Sequence, residues 1–113
     1  MGDLSAHFDS SEFRCKHCRA IVPISPALIA CLEAIRAGNG KPLVIVSGYR
    51  CPAHNKAVGG ASASQHLFGT AADIPPFRAT AAAAARCGAR GIGTRGRWAV
   101  HVDVRATPAT WAY

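Results

Sequence analysis

Ser64-Gln65-His66-Leu67-Phe68-Gly69-Thr70-Ala71-Ala72-Asp73, read with His101-Val102-Asp103 further on, is the part of the chain from which the fold is legible. The first stretch sets a histidine and an aspartate seven residues apart. Both are metal-ligand types, and the small residues between them let the backbone turn closely. The second belongs to Trp98-Ala99-Val100-His101-Val102-Asp103-Val104-Arg105, which alternates like a β-strand. A period of two predicts His101, Asp103 and Arg105 on one face and Trp98, Val100, Val102 and Val104 on the other. A half-buried strand that gives its second face to His and Asp points to a site. Two imidazoles and a carboxylate are a sufficient protein ligand set for a catalytic zinc, the fourth position being left to water.

Taken singly, each of these residues has an ordinary explanation. A lone histidine is usually a surface or satisfied core residue, and an aspartate just before Pro75-Pro76 is a common turn residue. The combination S-x-H-x-x-G-x-A-x-D with H-x-D on a strand is much more specific.

These motifs resemble the M15 family of zinc peptidases, which cut D-amino-acid-containing bonds in peptidoglycan. That family includes D-alanyl-D-alanine carboxypeptidases, vancomycin-resistance D,D-dipeptidases and phage endolysin endopeptidases. Ser47-Gly48-Tyr49-Arg50-Cys51-Pro52-Ala53-His54-Asn55, Val58-Gly59-Gly60, Ser64 to Asp73, Gly91-Ile92-Gly93 and His101-Val102-Asp103 carry the resemblance. The opening Phe8-Asp9-Ser10-Ser11-Glu12-Phe13-Arg14-Cys15 is similar to the start of compact phage-type members. The resemblance implies a hedgehog/D-Ala-D-Ala peptidase-like fold and a zinc held by His66, Asp73 and His101. It also implies a substrate-contacting, oxyanion-stabilising role for Arg50. Ser64 is expected to hydrogen-bond substrate or to orient its loop.

Length bounds the answer to one domain over residues 1–113. Half the residues are hydrophobic, so disorder is not expected. No apolar run approaches the roughly 18 residues of a membrane span. Met1-Gly2-Asp3-Leu4-Ser5 lacks the basic and apolar regions of a signal peptide. The expectation is synthesis in the cytoplasm and action on the cell wall after release, as for a phage or prophage lysin. The net charge is +7, with six acidic residues. Nucleic acid is the generic partner for such a charge. The arginines are scattered, however (Arg78, Arg86, Arg90, Arg95, Arg97, Arg105), and no nucleic-acid motif accompanies them. An anionic wall would attract the same charge. The expected partner is therefore the peptide stems of peptidoglycan, bound by a monomer.

Five cysteines argue against a fully paired disulfide framework. Cys15-Lys16-His17-Cys18 has C-x-x-C spacing, which can grip a metal or close a small disulfide. A structural zinc needs two more ligands, and no second C-x-x-C exists, although Cys51 or His17 could contribute. Free thiols in a reducing cytoplasm are the expected state.

Along the chain, Phe8 and Phe13 are expected to anchor an irregular lead-in over 1–22. Ser25-Pro26 announces a helix to about residue 38, with an apolar stripe at Leu28, Ile29, Leu32 and Ile35 and a stop at Gly38 or Gly40. Leu43 to Ser47 reads as a β-branched strand delivering Arg50 toward a cleft. Pro52 to Val58 reads as a short helical turn, and Gly59-Gly60-Ala61-Ser62-Ala63 as a small-residue loop. Thr80 caps an alanine-rich helix ending at Gly88. Thr94-Arg95-Gly96-Arg97 reads as a tight, basic turn between strands at 91–94 and 98–104. Trp111 and Tyr113 in the tail are expected to pack on the sheet, with ligand binding as the alternative. The fold class is thus α+β, a small antiparallel sheet near 43–47, 71–74, 91–94 and 98–104 packed against helices, with zinc at its open face.

The general base is harder to place. Many family members carry an acid three residues before the last histidine, where this chain has Trp98, and Gly91 to Val100 contain no acid. Asp103 is the best remaining candidate, about 7 Å along the strand from His101. It could equally orient a ligand histidine. His54 is a remote acid/base candidate. The function expected is a zinc peptidase of peptidoglycan. The alternative is a non-catalytic metal- and wall-binding module of the same fold.

Overall fold

In the computed structural model residues 3–60 and 64–113 are described. Residues 61–63 of the small-residue loop, and Met1 and Gly2 of the lead-in, lie outside them. The helices are α1 (Pro26–Asn39), α2 (Pro52–Ala57) and α3 (Ala81–Arg86). The strands are β1 (Ala71–Asp73), β2 (Gly91–Arg95), β3 (Trp98–Asp103) and β4 (Ala109–Ala112).

Helix α1 begins where its capping residues dictate. The Ser25 hydroxyl accepts from the Leu28 N–H, Pro26 occupies the first turn, and Gly40 ends the helix in the left-handed region. Its apolar stripe buries Leu28, Ile29, Cys31, Leu32 and Ile35. Phe8 and Phe13 complete this cluster from the lead-in. The lead-in is also tied to α1 through Glu33, which accepts from the Ser5 hydroxyl and the His7 N–H. Thr80 caps α3, as its sequence predicts.

The sheet has the order β1-β3-β2-β4. It is mixed rather than antiparallel: β3 pairs antiparallel with β1 and β2, and β4 runs parallel to β2. Two expectations are corrected by this. The C-terminal segment is an edge strand, although its short polar-flanked sequence gives little strand signal. Residues 43–47 are extended but contribute a single bridge, Ser47 to Asp73. Leu43 and Ile45 are buried while Val44 and Val46 are exposed. The stretch thus alternates as a strand does, yet only its end meets the ladder.

Cross-strand register puts the core on one face and the polar residues on the other. Ala72, Val102 and Ile92 lie in one row and join the hydrophobic core. Asp73, His101, Gly93 and Trp111 form the next row, facing away from it. Ala71, Asp103, Gly91 and Ala109 form the row on the other side of the core row and share the polar face. The strict alternation predicted for 98–105 breaks at Val100, and the residues before it change face. The β2–β3 register shifts between Gly93 and Thr94, leaving Val100 as the extra residue of a bulge. Ala99 consequently enters the core, and Val100 lines the cleft instead.

Candidate metal centre

The polar face of the sheet forms the floor of a cleft of about 840 Å3. His66, Asp73 and His101 converge in it, each offering a ligand atom within 4.8 Å of the others. Three separate pieces of backbone bring them there. His66 stands on a 3-10 turn, Gln65–Phe68, whose start is capped by Ser64 Oγ accepting from the His66 N–H. Asp73 ends β1, at the point where Ser47 bridges to it. His101 lies directly opposite Asp73 on β3.

Hydrogen-bond partners fix which ring atoms face the centre. His66 Nδ1 is 2.6 Å from the carbonyl oxygen of Gly48, a pure acceptor, so Nδ1 carries the proton. In the neutral ring, the Nε2 lone pair then faces Asp73 Oδ1 at 3.2 Å. His101 uses Nε2 to reach Asp103 Oδ2 at 2.8 Å, which leaves Nδ1 facing Asp73 Oδ1 at 3.1 Å. Three potential ligand atoms therefore converge on one point, where either protons on the rings or a bound cation balances the Asp73 carboxylate. The nitrogen-and-oxygen donor set, with each histidine held through its other nitrogen, fits zinc.

Without a metal, the rings donate to Asp73 instead. Burial disfavours the Asp73 anion, but hydrogen bonds from His101 and His66 overcome it and hold the carboxyl well below its usual range. Burial also opposes the His101 cation, and the Asp103 and Asp73 carboxylates outweigh it, so that its pKa is raised. Asp103 is fully buried. Despite that burial, bonds from His101 and Arg105 keep it ionised far down the pH scale. Arg105 grips both of its oxygens, Nε to Oδ1 at 2.9 Å and Nη2 to Oδ2 at 2.7 Å.

Both Asp103 oxygens are engaged by His101, Arg105 and the Arg105 N–H, on the far side of the His101 ring from Asp73. Asp73 is the one carboxylate among the described residues lining that cleft. His54 does not line it; its ring stacks on His17 with centroids 6.1 Å apart.

Arg50 lines the cleft, as expected, and its Nε is buried without a hydrogen-bond partner among the described residues. Its own N–H donates to the His66 carbonyl, which couples the arginine to the 3-10 turn. Ser64 lines the cleft as well as capping that turn.

The sequence preferred packing over ligand binding for Trp111 and Tyr113, and both line the cleft as an aromatic wall. Trp111 lies 5.1 Å from His101 between ring centroids, and the Arg105 guanidinium sits 4.8 Å above its ring. Tyr113 continues the wall. The signal that could have found them is the alternation of Trp111 with Tyr113 in a short C-terminal strand.

A family model described as Peptidase M15 matches residues 6–103. Among curated proteins, none matches this chain. With the match spanning most of its length, the chain belongs to the M15 peptidase family, a family of zinc-dependent metallopeptidases.

Proposed function

We propose that this protein is a zinc peptidase that hydrolyses D-amino-acid-containing bonds in the peptide stems of peptidoglycan, as a carboxypeptidase or cross-link endopeptidase. We further propose that it serves as a phage or prophage wall lysin and acts as a monomer, with no nucleic-acid partner. The observation that carries the reading is the convergence of His66, Asp73 and His101 in a cleft flanked by cationic side chains.

Bound by these three residues, zinc would supply an acidified water and a Lewis acid for the scissile carbonyl. The remaining work belongs to the chain. Gly48 and Asp103 hold the two imidazoles in the tautomers that present their lone pairs to the centre. Arg105 keeps Asp103 anionic and so stabilises the arrangement behind His101. Arg50 lines the cleft, where its guanidinium is available to the developing oxyanion or to a substrate carboxylate. Ser64 retains a hydroxyl proton for substrate while its oxygen caps the His66 turn.

The charge of the cleft bears on substrate class. Arg50, Arg95 and Arg105 line it against one carboxylate, Asp73. Stem peptides rich in carboxylates suit such a cleft, and the net charge of +7 suits an anionic wall. Trp111 and Tyr113 offer flat apolar surface for a small side chain such as the methyl of D-Ala.

A specific observation also favours the alternative, a metal-dependent wall-binding module. No second carboxylate lines the cleft among the described residues to act as general base. Mass spectrometry of purified peptidoglycan incubated with the zinc-loaded protein separates the two. Defined new termini, lost in His66→Ala, are expected for the peptidase and name the bond. Muropeptide binding with zinc present and no products would move the assignment to the binding module.

A further inference from the structure

We propose that Cys15, Cys18 and Cys51 form a second metal site that takes zinc as a thiolate-bound structural ion, distinct from the centre at His66, Asp73 and His101. The three sulfurs lie within 4.8 Å of one another. Chain order does not bring them together: Cys15 and Cys18 sit in the lead-in, and Cys51 immediately precedes α2.

The surroundings of Cys15 are those of a thiolate. Its sulfur accepts the Cys51 N–H at 3.3 Å. It is completely buried. A backbone N–H turned toward a sulfur stabilises its anion and would do little for a neutral disulfide. Cys51 Sγ likewise accepts from the His54 N–H at 3.4 Å.

The loop between the first two cysteines is closed on itself. Cys15 N–H donates to the Ala20 carbonyl, and Arg19 N–H to the Cys15 carbonyl. Arg19 is held at a φ of 63°, a conformation that favours glycine. Three thiolates in a C-x-x-C plus distant-cysteine pattern are soft ligands suited to zinc. His17 and His54 stack beside the cluster, but neither ring nitrogen joins the three sulfurs within that distance, so the fourth position falls to water or a rotated ring.

The location gives the site a purpose. Cys51 directly follows Arg50 in the chain, and the lead-in runs against the same segment. Tyr49 N–H donates to the Phe13 carbonyl, and a Cβ on Gly48 would come within 2.6 Å of Phe13 Cα. A metal joining Cys15 and Cys18 to Cys51 would clamp the lead-in onto the strand end that positions Arg50 and presents the Gly48 carbonyl to His66.

The test uses the full chain loaded with Zn2+ and, separately, with Co2+. The expected result is two metal ions per chain, with a near-ultraviolet sulfur-to-cobalt charge-transfer band. A histidine–carboxylate site cannot produce that band. Cys18 is exposed, so Cys18→Ser should fold; it should lose one metal ion and with it the band, and its thermal midpoint should fall. His66→Ala should lose one metal ion and keep the band in full, so failure of the first centre and failure of this one are separable. A Co2+-loaded wild type with no thiolate band, or a mass showing two of these cysteines oxidised to a disulfide in freshly purified protein, would overturn the proposal.

Discussion

His101 divides its two ring nitrogens between two carboxylates: Nδ1 faces Asp73 at 3.1 Å, and Nε2 faces Asp103 at 2.8 Å. The first carboxylate lies in the cleft and the second is buried behind the ring, braced by Arg105. Two acidic residues with similar sequence credentials thus have different tasks.

Asp103→Asn should therefore weaken zinc binding by about 10–100-fold, the usual range for loss of a carboxylate behind a ligand histidine. Competition titration against a chromogenic chelator measures it. Unchanged zinc affinity with abolished turnover would instead mean that Asp103 handles a proton. Asp103→Ala should also destabilise the fold by roughly 3 kcal/mol, because it leaves the Arg105 charge without its buried partner.

Arg50→Lys should lower kcat/KM by about 100-fold while leaving zinc content unchanged, since a lysine cannot reproduce the guanidinium fork at a developing oxyanion. Turnover measured together with metal stoichiometry separates this outcome from collapse of the site. A variant with near wild-type turnover would remove Arg50 from the chemistry.

Gly91→Ala should damage the centre from a distance. A Cβ at Gly91 would overlap the Asp103 carboxylate and Arg105 Nε. The expected loss is about 1–3 kcal/mol of stability, typical of overpacking, together with weaker zinc binding. Denaturant unfolding and zinc titration of the same sample check it. The same change at Gly88, where a Cβ meets nothing within 4 Å but φ is 108°, should lower stability and leave zinc affinity alone.

The metal-free protein should show opposing pH dependences. Asp73 and Asp103 have folded-state pKa values below the ordinary 3.8. Their contribution to stability is complete above that value and is lost as pH falls through the folded values. His101 has a folded-state pKa above 6.5, so its contribution is complete below 6.5 and is lost as pH rises through the folded value. The thermal midpoint in chelator should peak between about pH 4.5 and 6.5. Zinc needs an unprotonated His101, so adding it should move the peak upward. A midpoint that rises steadily to pH 8 in chelator would contradict the arrangement.

Much of this architecture is legible in the amino-acid sequence. Ser25-Pro26 and Gly40 bound α1 because caps act within a single turn. Thr80 does the same for α3. Alternation places His101, Asp103 and Arg105 on one face, because a strand's side-chain direction is local. It fails at Val100, because a bulge depends on what the neighbouring strand requires: Gly93 and Thr94 on β2 take up three consecutive residues of β3.

By itself the sequence determined the helices, the three central strands and which residues converge in the cleft, since each depends on local period, capping or a recognisable motif. Tertiary structure alone decided the rest. It set Asp103 behind the His101 ring, seated Trp111 of the parallel edge strand and the adjoining Tyr113 as a cleft wall, and drew Cys51 to Cys15 and Cys18. All three outcomes rest on hydrogen bonds and pairings between residues distant in the chain. Which ring nitrogen faces which carboxylate, and which strand receives an edge, is set by the packing of the whole sheet rather than by any neighbouring residue.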